Sequence, residues 1–207
     1  MIRAALLLVL ALFSQDPPKR PGAQESDIEH EKRKVVGCVV RVAVQPDATR
    51  EWFDAARERF EKFADALWSA TRGQMAIVEA RLTDQAGEDG DLVIENLDRD
   101  SCDSRKGVFA YWDAKKRIRL GGRFQILTML HEWGHVKFDL PEEYGKNACE
   151  CLMSTGRTMR EAYCDRSNHK AAGDSCWERI VKLFPAWARP PAEPGKRPEL
   201  KVSIEDR

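Results

Sequence analysis

The stretch that most restricts what this chain can fold into runs from Gln125 to Phe138, an apolar segment containing His131-Glu132-Trp133-Gly134-His135. Its length and hydrophobic character predict one largely buried helix over 125–138. Four residues advance a helix by little more than a turn, about 6 Å of rise, so His131 and His135 leave from one face and both imidazoles can reach one ion. Glu132 then stands beside that ion without needing to bind it. This is the pattern of a zinc site that carries its own general base. A third protein ligand would leave one position open for water, whose pKa falls to about 7 on a zinc ion. The five-residue pattern also arises by chance in amphipathic helices, so the residues that follow it carry much of the weight.

Past His135 the chain reads Val136-Lys137-Phe138-Asp139-Leu140-Pro141-Glu142-Glu143-Tyr144. Pro141 cannot continue a helix, and Asp139 tolerates the left-handed conformation that ends one, so the chain is expected to turn back toward the histidines. Here it resembles the metzincin-like zinc peptidase domain of the calcium-activated chloride channel regulator family and its bacterial relatives. Their pattern is His-Glu-Trp-x-His, three residues, glycine, two residues, Asp-Glu-Tyr. The resemblance implies one zinc ion per chain held by His131, His135 and Glu142, with Glu132 as the catalytic base. Asp139 stands where the family has glycine, and Glu142 where it has aspartate, a ligand longer by one methylene. On the residues alone, Asp139, Glu143 and His169 remain rival third ligands.

The resemblance continues into Cys149-Glu150-Cys151-Leu152-Met153-Ser154, which is similar to the methionine turn beneath the zinc of metzincins and implies that Met153 is that methionine. A thioether fills an irregular gap well, and most methionines in loops do no more than that. Tyr163-Cys164-Asp165, Asn168-His169 and Cys176-Trp177-Glu178 resemble the segment leading to a last helix, so the likeness covers about 125–180. Tyr144 and Tyr163 are the candidates to stabilise an oxyanion, although a buried tyrosine more often satisfies a hydrogen bond in the core.

The rest of the chain suits an α+β fold of the zincin or metzincin kind, with a twisted mixed sheet, an edge strand over the active-site helix, a methionine turn and a C-terminal helix. Val35 to Val44 is rich in β-branched residues and predicts a buried strand. Trp52, Ala56, Phe60, Phe63 and Leu67 recur at helical spacing within 50–71, an aromatic stripe that belongs to the core. Strands are expected at 75–82 and 91–95, in the order that makes a parallel crossover. Residues 107–112 and 117–120 predict a hairpin with one strand at an edge, where an extended peptide could pair by main-chain hydrogen bonds. A last helix is expected at 171–184, stopped by Pro185. The acidic run Asp98 to Asp103 lacks the spacing of a known calcium loop and reads as a solvated turn.

Met1-Ile2-Arg3 followed by an apolar stretch to Phe13 reads as a secretory signal over 1–14, too short to span a bilayer. Residues 15–34 are polar and charged and are expected to be a flexible segment, in which His30 is not a ligand; 189–207 is expected to be a loosely ordered Pro-rich tail. Between them, 35–188 is long enough for one peptidase domain with a sizeable core. Export would place Cys38, Cys102, Cys149, Cys151, Cys164 and Cys176 in an oxidising compartment, where three disulfides are the default. A structural zinc on the four clustered thiolates competes with that reading, but paired Cys-x-x-Cys knuckles are lacking.

Basic and acidic residues balance at 34 each, which offers no field for nucleic acid or an anionic membrane. The expectation is a secreted or periplasmic monomeric zinc endopeptidase, with a polypeptide substrate and no membrane span in the mature chain. The alternative is a zinc-stabilised extracytoplasmic module that binds a protein partner without cleaving it.

Overall fold

β-branched residues at 35–44 form the centre of the sheet. A computed structural model describes residues 23–144, 148–156, 159–188 and 193–206; the signal expected at 1–14 lies outside them. Strand β2 (Arg33–Val44) buries Val35, Val40, Val42, Ala43 and Val44. It hands over to helix α1 (Arg50–Ala70), whose first turn is capped by the Thr49 side chain accepting from the Trp52 amide. Phe53, Ala56, Phe60, Phe63 and Leu67 are buried along one face of α1, and Trp52 is half-buried. The chain then returns as β3 (Met75–Thr83), parallel to β2, which is the expected crossover.

Strands β4 (Leu92–Ile94), β5 (Ala110–Trp112) and β6 (Ile118–Leu120) extend the sheet on its other side. β4 runs parallel to β2 and β6 parallel to β4, while β5 and β6 make the antiparallel hairpin. With the last strand, β7 (Lys201–Glu205), the strand order is β5-β6-β4-β2-β3-β7, which puts β5 at the edge. Helix α2 (Ile126–Phe138) packs between α1 and the β5–β6 hairpin. Its Trp133 ring meets Phe63 edge-on at 5.5 Å, so the aromatic stripe of α1 supports the helix that carries the histidines. α2 ends at Asp139, which adopts φ 50° in the left-handed region, as its place in the sequence predicts. Helix α3 (Cys176–Leu183) begins later than the expected 171, because Ser175 and Glu178 form a reciprocal capping box.

Two segments expected to be loose are strands. In the N-terminal one, β1 (Gln24–His30) pairs antiparallel with β2 through a two-residue turn at Glu31 and Lys32, both at positive φ. Its side chains are mostly polar and exposed, so main-chain bonds rather than burial hold it. Lys137 of α2 also ties it down, donating to the Ala23 carbonyl and to Glu25, each at 2.9 Å. At the other end, β7 (Lys201–Glu205) runs parallel to β3 at the far edge. Leu200 before it is buried, and Arg197 bridges Glu61 and Asp65 on α1.

A chain ending after Glu199 loses the buried Leu200 and the half-buried Val202 and Ile204. Its stability in urea should fall by about 2–3 kcal/mol, the order expected for losing one buried aliphatic side chain and parts of two more. An unchanged midpoint would mean that β7 adds nothing to the fold.

Candidate metal and catalytic site

The two histidines of α2 are oriented by backbone carbonyls. His131 Nδ1 lies 2.8 Å from the Leu152 carbonyl and His135 Nδ1 lies 2.6 Å from the Leu140 carbonyl. A carbonyl only accepts, so both Nδ1 atoms carry the proton and both Nε2 atoms present lone pairs. These Nε2 atoms face each other at 3.1 Å. The Glu142 carboxylate closes the group, 3.2 Å from His131 Nε2 and 3.3 Å from His135 Nε2. Three acceptors thus converge on one point, and burial holds the His135 imidazole below its ordinary pKa and so favours the neutral ring. Such a group suits a cation. Nitrogen and oxygen donors arranged tetrahedrally at zinc bond lengths would stand roughly 3.3 Å apart.

Of the candidate third ligands, Glu142 is the one that converges with the two histidines. Asp139, a rival ligand, is exposed at the helix end and joins no group of converging donors among the described residues. Glu143 and His169 turn instead toward Cys149 and Cys164. His30 also lies apart, 2.7 Å from the Lys196 carbonyl and edge-on to Trp68.

Glu132 is buried beside the three acceptors. Burial first, and then the Glu142 carboxylate, push its pKa up to about 7, while a hydrogen bond from the Trp112 backbone opposes the rise. That bond fastens the end of β5 to the carboxylate. Tyr144 is half exposed, with its ring stacked on His131 and its hydroxyl 3.4 Å from His131 Nε2. Burial of the hydroxyl and the neighbouring Glu142 raise the pKa of this phenol, so it stays a donor. Tyr163 plays no part at the site. It is buried beneath α2, donating to the Leu130 carbonyl at 3.3 Å and packing against Phe138.

Met153 is fully buried under the same helix. Its turn supplies the Leu152 carbonyl that orients His131, and its own carbonyl accepts from the Glu143 amide at 2.9 Å. The thioether fills the space that Gly134 leaves open: a Cβ on Gly134 would stand 2.5 Å from Met153 Sδ.

Glu132, His135, Glu142 and Tyr144 open onto a cleft of about 910 Å³ bounded on one side by β5. On β6 and in the turn that joins it to β5 lies a network that sequence reading did not single out. Arg119 donates to Glu95 at 3.0 Å, to Asp113 at 3.2 Å and to Glu88, and Arg117 donates to Asp113 at 2.8 Å. Against the opposing effect of burial, hydrogen bonds from Arg117 and from the Lys115 amide hold Asp113 down to about 2. The signal was the alternation Arg117-x-Arg119 on a short strand, which puts both guanidiniums on one face. The acidic turn nearby is ordered, with Asp103 bound by Arg99 and by Asn96.

All six cysteines are buried free thiols, where their even count led to an expectation of three disulfides. Cys38 neighbours Lys137 and Glu25, whereas Cys102 donates to the Arg119 carbonyl, so these two do not meet. Burial pushes both thiols up to about 12 and keeps them protonated. The other four converge near α3.

Compared with known proteins, the chain matches no family model, no curated protein and no solved structure.

Glycine to alanine at an open helical position gains up to about 1 kcal/mol, but overpacking a core costs about 1–3 kcal/mol. Gly134→Ala should therefore lower stability, and Met153→Ala in the same chain should recover part of the loss. Thermal unfolding of the single and double variants checks this; a more stable Gly134→Ala protein would show that Met153 does not press on the helix.

Proposed function

We propose that the chain is an exported zinc-dependent endopeptidase of the metzincin kind. The observation that carries this reading is the convergence of three acceptors, His131, His135 and Glu142, next to a buried carboxylate with a pKa of about 7. The three residues would hold the metal, and the two carbonyl-bound Nδ1 atoms keep their rings from turning away. Bound there, zinc would polarise a substrate carbonyl and acidify a water molecule. Glu132 takes the proton of the attacking water and delivers it to the departing amine, a task matched by a pKa near neutrality. Tyr144, a hydroxyl donor on the cleft side, is placed to hydrogen-bond the oxyanion as the carbonyl becomes tetrahedral.

Substrate binding falls to the β5 edge. An extended peptide laid along it would gain main-chain hydrogen bonds without a demand for particular side chains. Phe109 and Trp112, both substantially exposed, offer apolar contacts near that edge.

Glu132→Gln keeps the shape of the side chain and removes its basicity. Cleavage of an unfolded protein substrate should fall by about 10²–10⁴-fold, the range attributed to a general base, while bound zinc is retained. A zinc-loaded parent that cleaves nothing in a broad peptide library yet binds peptides as well as Glu132→Gln does would overturn the peptidase reading in favour of a binding module.

A further inference from the structure

Apart from the residues that line the cleft, a second set of side chains able to bind a metal converges. Cys149 Sγ and Cys164 Sγ lie 3.1 and 3.3 Å from His169 Nδ1, and Glu143 Oε1 lies 4.0 Å from the same nitrogen. The four donor atoms all fall within 4.8 Å of one another. Both the His169 and Glu143 side chains are more than nine-tenths buried, at 8% and 6% exposure. No ion pair with a lysine or arginine neutralises Glu143 among the described residues. His169 Nε2 is buried without a partner, so the ring is held only by what lies on its Nδ1 side.

The geometry points to a second, structural zinc site formed by Glu143, Cys149, Cys164 and His169. Two sulfurs, one nitrogen and one oxygen make a closed four-ligand set of the kind that structural zinc takes. The Lys170 amide donates to Cys149 Sγ at 3.2 Å and the Cys176 amide to Cys164 Sγ at 3.4 Å. Backbone amides aimed at sulfur stabilise thiolates and orient them as outer-shell partners do. On binding, Cys149 and Cys164 each release a proton to solvent and the metal takes the two thiolates. A Cys149–Cys164 disulfide would instead leave a buried glutamate and histidine facing each other with nothing between them. Cys164 is also shared with a second group, Cys151 and Cys176, so three sulfurs meet there and cannot all pair.

The site has a consequence that rests on the peptidase reading. Glu143 follows Glu142 directly, and its amide is bound to the Met153 carbonyl at 2.9 Å. Zinc on Glu143 would therefore anchor the segment that presents Glu142 to the upper metal.

X-ray absorption at the zinc edge separates the two sites, because the upper one contains no sulfur. In the full chain carrying His131→Ala and His135→Ala, purified with zinc and without added oxidant, about one zinc per chain should remain, with sulfur neighbours at about 2.3 Å. Cys149→Ser or His169→Ala should remove that signal from the parent. Absence of zinc–sulfur scattering in both the parent and the double-histidine variant, with a Cys149–Cys164 disulfide found by mass mapping without reduction, would overturn the proposal. Sulfur-bound zinc that is the only zinc in the parent would uphold this site and contradict the upper one, so the two readings fail separately.

Discussion

Two backbone carbonyls, those of Leu140 and Leu152, determine much of what this molecule can do. By accepting from Nδ1 of His135 and His131 they turn both Nε2 lone pairs inward, against each other and against Glu142. Without a cation such an arrangement is repulsive, and it persists because helix, loop and turn each hold one member in place. The Leu140 carbonyl follows the left-handed residue that ends α2, and the Leu152 carbonyl precedes the buried Met153. Helix termination and the packing of one thioether thus become part of the geometry that brings the three acceptors together.

The sheet supplies the other half of the site. β2, α1 and β3 form a parallel crossover whose aromatic face supports Trp133, fixing the depth and rotation of α2. The β5–β6 hairpin then crosses the open side of that helix, and the Trp112 backbone reaches Glu132. The β5 edge and Glu132 are joined by one hydrogen bond, so under the proposed function a peptide pairing with β5 would meet the base in a set position. The Arg117–Arg119–Asp113–Glu95 network ties the β6 side of the same hairpin together.

Where periodicity was strong, the sequence was legible. The α2 helix, the β2 and β3 strands, the stripe on α1 and the β5–β6 hairpin all follow from patterns of burial that the residues display. β1 and β7 escaped because their side chains carry little of that signal. β1 is polar along most of its length and is held by its ladder to β2, and β7 is five residues that follow a proline-bearing, charged stretch. That His131 and His135 leave one face of α2 with Glu132 beside them was legible from spacing, whereas the return of Glu142 toward them was expected from the helix-ending residues Asp139 and Pro141 and from the resemblance. Tyr163 was misplaced because a tyrosine close in sequence to the site gives no sign of which way it faces. The grouping of Glu143 and His169 with Cys149 and Cys164 was hidden for a related reason: irregular backbone brings them together, and no regular spacing announces it.

The most direct test of the central claim is anomalous diffraction at the zinc edge from crystals of the full chain grown with zinc. The account predicts a peak within bonding distance of His131 Nε2, His135 Nε2 and a Glu142 oxygen, with Glu132 beside it and not bound to it. A fully occupied crystal with no peak there, or a peak held by Asp139 in place of Glu142, would contradict it.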